Sequence, residues 1–181
     1  MFGLAVKWKR NQPDRLTRLA KAIEALGETD RRLIAESSDV DRLRTRGASD
    51  LHRVCSAFVA KVNGKLREPA ILLDPPSYSD GSYNDVGLNL FQINLRGRIL
   101  QIEFGPTMDL YEYDDFRWPY VLRGAVRSFN QDLLEQSSID EQMIFYCPRN
   151  DNAFWHFFDG RTYRSGLVNE SYLVSEMERL L

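Results

Sequence analysis

The chain has 181 residues, 43% hydrophobic and 28% charged, with a net charge of −2. That length supports one full hydrophobic core, the composition is far from that of a disordered segment, and no apolar run approaches the ~20 residues of a membrane span. Two cysteines, Cys55 and Cys147, do not make a secreted disulfide framework, and the start MFGLAVKWKR lacks a signal peptide's order of charge and apolar run, so the expected setting is the reducing cytoplasm.

Phe2, Leu4, Val6 and Trp8 alternate with small or basic residues, which predicts a strand. Pro13 opens a helix whose apolar stripe is Leu16, Leu19, Ala20, Ile23 and Leu26, with Gly27 at its C′ position. A second helix over 29–46 carries Leu33, Ile34, Val40 and Leu43, and Ser37–Ser38 is a point where it can divide. Ser49 is a favourable N-cap for a third helix, faced by Leu51, Val54, Cys55, Phe58 and Val62 and ended by Asn63–Gly64.

The character changes after Arg67. Ala70–Asp74 reads as a short strand stopped by Pro75–Pro76, and 77–85 as a polar loop. Val86–Leu95 and Arg98–Phe104 make a hairpin around Arg96–Gly97, and Gly105–Pro106 turns the chain into a strand at Thr107–Tyr113. Trp118, Leu122, Ala125, Val126, Phe129 and Leu133 follow a 3.6 period, which predicts a helix over 119–135. Strands follow at Met143–Cys147, Ala153–Phe158 and Arg161–Ser165. Asp159–Gly160 forms a two-residue type I′ turn between the last two, so that Phe158 meets Arg161. Asn169 caps a final helix.

The expected fold is α+β, with an antiparallel sheet of about five to seven strands covered on one face by N-terminal, middle and C-terminal helices. It is read as a single domain over 1–181. Residues 1–67 form a basic, mainly helical subregion, with 15 Lys and Arg against 8 Asp and Glu, and 68–181 an acidic, strand-rich one, with 9 against 18.

The stretch MDLYEYDDFRWP (108–119) holds four carboxylates among aromatics. On a strand, Glu112 and Asp114 share one face and Asp109 and Asp115 the other, so the strand does not focus them on one ion. No glycine follows at the spacing a calcium loop needs. The stretch therefore reads as a strand with solvated acids. For zinc, His52 and Cys55 lie one helical turn apart, but Cys147 and His156 fall too far apart along their hairpin to share an ion with them. No metal and no cofactor are expected.

No G-x-S-x-G elbow, Walker A loop or dinucleotide glycine fingerprint is present. No lysine follows Lys65, which removes the lysine of a D…(D/E)-x-K nuclease. Lys7, Trp8, Lys9, Arg10, Arg42, Arg44 and Arg46 could contact nucleic acid, but a pI near 5.8 disfavours a dedicated binder. The leading expectation is a non-catalytic cytoplasmic module that binds a protein partner or itself. The alternative is a small-molecule binder or enzyme with a pocket between sheet and helices, lined by Tyr111, Tyr113 and His156. Nucleic-acid binding through the basic third ranks last.

Overall fold

A computed structural model describes residues 15–35, 40–107, 116, 118–130, 140–149 and 152–181. The chain divides into two compact units, Met1–Glu36 and Ser37–Leu181. The expected strand at 2–8, the Ser37–Ser38 break, Tyr111, Tyr113 and the acids of 109–115 lie outside the described residues.

The described residues of the first unit form helix α1, Arg15–Ala35. It runs through Gly27 instead of ending there. Ala20, Ala22 and Ala25 lie just before that glycine, and their strong helix propensity offsets its cost of about 1 kcal/mol.

The second unit begins with α2, Val40–Asn63. Ser49 does not cap a helix, because it lies inside α2, where its Oγ donates to Asp80 Oδ1 at 2.8 Å. Asn63 does end the helix, and its side chain ties the start of the first strand to it. Its Oδ1 accepts from the N–H groups of Ala70 and Ile71, and its Nδ2 donates to the Ile71 carbonyl. Among the described residues seven antiparallel strands follow, each beside its neighbours in sequence: β1 Ile71–Asp74, β2 Asn89–Leu95, β3 Arg98–Pro106, β4 Leu122–Asn130, β5 Asp140–Arg149, β6 Asn152–Asp159 and β7 Arg164–Leu167. Helix α3, Glu170–Glu178, closes the chain, with Asn169 Oδ1 accepting from the Tyr172 N–H as its N-cap. The fold is thus α+β with an antiparallel sheet.

The pairing register sorts the residues onto two faces. Phe91, Ile93, Leu100, Ile102, Phe104, Leu122, Val126, Ile144, Tyr146 and Trp155 point to one face and are buried. Helix α2 covers this face. Tyr146 Oη donates to Asp50 Oδ2 at 2.9 Å, and Trp155 Nε1 donates to the Gly47 carbonyl at 2.7 Å. A Cβ at Gly47 would stand 2.7 Å from Leu122 Cδ1 and from Tyr146 Cδ1, so the helix approaches the sheet through a residue with no side chain. Helix α3 adds Tyr172, stacked on Phe157 at 4.9 Å, and its Glu170 pairs with Lys61 of α2.

The opposite face is polar in the middle of the sheet. Gln92 donates to Gln101, Gln101 to Glu103, and Arg127 bridges Glu103 and Glu141. It becomes apolar again over β5 and β6.

Three further sequence expectations are corrected. Within the helix expected over 119–135, Leu122–Asn130 form strand β4, which pairs Val126 with Ile102 and Ala125 with Met143, and 131–135 lie outside the described residues. Gly124 and Ser128 stand on its helix-covered face and Ala125 and Phe129 on its polar face, so strict alternation is broken and Leu122, Ala125, Val126 and Phe129 mimic a helical period. Gly124, which a helix would tolerate poorly, is required here, because a Cβ would stand 2.2 Å from the Glu103 carbonyl oxygen. Gly105–Pro106 does not turn the chain, since both residues belong to β3. The Asp159–Gly160 turn is longer than two residues. Asp159 pairs with Arg164 and Phe158 with Ser165, not with Arg161. The Asp159 carboxylate accepts from the N–H groups of Arg161 and Thr162 and from the Thr162 hydroxyl, which stabilises a wider loop. The Arg96–Gly97 turn is as expected. Its residues sit at φ 50° and 86°, and Leu95 pairs with Arg98.

β3 ends at Pro106 and β4 begins at Leu122, and of the strand expected at Thr107–Tyr113 all but Thr107 lies outside the described residues. Arg44 of α2 holds both ends, donating to the Thr107 carbonyl at 2.7 Å and the Val121 carbonyl at 3.2 Å. The returning residues lay Phe116 and Tyr120 on the face opposite the helices. Phe116 stacks on Phe145 at 4.0 Å, and with Tyr120, Cys147 and Phe158 it makes a small second core. Among the described residues no helix is long and apolar enough to cross a membrane.

Candidate functional site

His156 stands at the outer edge of this second core. Its neighbours on β6, Phe154 and Phe158, point the same way, and the register sets Phe145 beside it on β5 and Leu167 beside it on β7. Trp118 meets the imidazole edge-on, with ring centroids 4.7 Å apart and planes at 76°. The Arg149 guanidinium lies over the Trp118 ring at 5.9 Å, a cation–π geometry. Phe116 and Phe158 are buried beneath, but Trp118, Phe154 and Leu167 remain 45%, 45% and 46% exposed. The result is a patch of aromatic and aliphatic surface with one cation at its rim.

The imidazole lies at the centre of the patch, and its surroundings favour the neutral form. Burial holds its pKa below the ordinary value of 6.5, and the Arg149 charge acts in the same direction, while the Phe154 carbonyl opposes them. Nδ1 lies 3.3 Å from that carbonyl and donates to it, which leaves Nε2 as the acceptor.

The thiols do not supply a nucleophile. Cys147 shares this face but is buried, its Sγ–H donates to the Phe145 carbonyl, and burial pushes its pKa up to about 12. Cys55 lies in the core on the α2 stripe with its pKa likewise raised to about 12 by burial. His52 is buried. Its Nε2 lies 2.9 Å from the Pro75 carbonyl, and its ring stacks on Tyr78 at 5.4 Å. The structure therefore separates His52, Cys55, Cys147 and His156 into different environments. Among the described residues no three His, Cys, Asp or Glu side chains converge on one point.

Of the residues expected to line a pocket, His156 is placed and forms a surface contact; Tyr111 and Tyr113 lie outside the described residues. Trp118 and Arg149, which build the site with His156, were not anticipated. Trp118 fitted a helical stripe, and Arg149 carried no local signal. On α2, Arg44 is engaged with two carbonyls, and Arg46 lies 3.8 Å from Asp50.

Comparison with family models, curated proteins and solved structures returns no match to this chain.

Proposed function

We propose that this chain is a non-catalytic, cytoplasmic protein-binding module whose contact surface is the patch around His156. The observation that carries this reading is the half-exposure of Trp118, Phe154 and Leu167 side by side on a rigid sheet face. Large rings left in water at adjacent positions mark contact surfaces, and Trp and Arg are the residue types that dominate binding energy when a partner covers them. The neutral imidazole suits an apolar partner group, and Arg149 suits a carboxylate at the rim. Two buried free thiols support a reducing compartment.

The test is quantitative capture from cells that make the protein, with the parent and the Phe154→Ser, Leu167→Ser variant as baits. Both substituted side chains are about half exposed, so the fold is kept. The reading expects at least one protein that the parent retains and the variant loses by about tenfold or more. Identical retention by both baits overturns it.

A further inference from the structure

A groove lies on the helix-covered side of the sheet, across the sheet from the Trp118–His156 patch. Its walls all belong to the second unit: the end of α2, the start of β1 with the turn between β2 and β3, and α3. Local chemistry sets these walls. Asn63 ends α2 and ties the start of β1 to it, and Lys61 pairs with Glu170 at the start of α3. The register places Ile71 beside Leu95 and Leu95 beside Arg98 on this face. The groove holds about 560 Å³, within the ~300–1,000 Å³ of small-molecule sites.

Nine of the twelve described residues that line it are apolar, and Phe58, Ile71 and Met177 among them are buried. Such a lining offers few hydrogen bonds, so a sugar or a nucleotide would lose its water without replacement. An aliphatic chain loses nothing there. The three polar lining residues are Arg96, Arg98 and Glu178. Arg96 is exposed in the turn at φ 50°. Arg98 Nε donates to the Leu180 carbonyl at 2.9 Å. Among the described residues neither guanidinium is in an ion pair. Two cations against one carboxylate leave the groove with a net positive charge, which a carboxylate head group complements.

We propose that this groove binds a single-chain aliphatic carboxylate, with the chain on the apolar lining and the carboxylate on Arg96 and Arg98. The site shares no residue with the Phe154–Leu167 patch and does not depend on it.

Isothermal titration calorimetry of the full chain with decanoate tests this, with decyltrimethylammonium as the probe of opposite charge. The expected result is one decanoate per chain, with a dissociation constant at or below about 100 µM and a negative heat-capacity change. The ammonium should bind about tenfold more weakly or worse. Val174 lines the groove from α3 and is 38% exposed. Val174→Trp should fill the groove and weaken decanoate about tenfold or more, and Arg96→Glu should do the same through charge. Phe154→Ser with Leu167→Ser should keep the parent's decanoate affinity. In the parent, the Met177 methyl resonance should shift as decanoate is added. A parent that binds no decanoate overturns the proposal, as does a Met177 resonance that stays in place at saturation. A folded Val174→Trp that binds like the parent also overturns it. Equal affinity for the ammonium overturns the carboxylate assignment. Loss of decanoate in the Phe154, Leu167 variant would put the ligand on the other patch, which overturns this site and leaves the protein-binding reading to its own test.

Discussion

Trp118 meets His156 edge-on at 4.7 Å, joining the segment that returns to β4 with the middle of β6. Burial lowers the pKa of this imidazole in the folded protein. The group therefore binds a proton more readily in the unfolded chain. Its contribution to stability is complete above the ordinary histidine value near 6.5 and is lost as pH falls below that value toward the folded pKa. The melting temperature of the parent should drop more between pH 7.5 and pH 5.5 than that of His156→Gln, measured in the same buffers. Equal drops would show that the contact does not disfavour the charged ring.

Gly47 decides how closely α2 lies on the sheet. Alanine is the better helix former by about 1 kcal/mol. At this position, however, its Cβ would stand 2.7 Å from both Leu122 Cδ1 and Tyr146 Cδ1. Overpacking should outweigh propensity. Gly47→Ala is expected to destabilise by about 1–3 kcal/mol, or roughly 2–4 °C per kcal/mol for a chain of this size. Thermal unfolding of the full chain checks this, and a rise in melting temperature would mean that the helix sits further from the sheet.

Two glycines that look alike in sequence should behave in opposite ways. Gly124→Ala sets a Cβ against the Glu103 carbonyl and should unfold the sheet or cost several kcal/mol. Gly160→Val should cost well under that, because in this loop the left-handed residue is Tyr163, at φ 54°. Urea unfolding of both variants tests the pair, and a larger loss at Gly160 would restore the tight two-residue turn.

These glycines also show what the sequence could reveal. The Arg96–Gly97 hairpin, the Asn169 cap and the α2 stripe of Leu51, Cys55 and Phe58 were readable, because each rests on local chemistry or on one buried face. Strand β4 was not, because Gly124 and Ser128 on its covered face and Ala125 and Phe129 on its polar face break the alternation. The wider loop after Asp159 depends on a carboxylate that folds back onto Arg161 and Thr162, which a two-residue motif conceals. At the site, His156 was readable as a strand residue with apolar neighbours. Its ring partner Trp118 comes from a segment far away in sequence, and no periodicity within β6 points to it.

The chain has two histidines, and they make the central claim directly measurable. His52 is buried under Pro75 and Tyr78, whereas His156 lies at the centre of the proposed contact surface. Proton NMR of the two imidazoles, with a captured partner added in steps, separates them. The account predicts that the His156 resonance, together with the indole N–H of Trp118, shifts or broadens to saturation while that of His52 stays in place. A partner that binds to saturation and leaves His156 and Trp118 unmoved would contradict it.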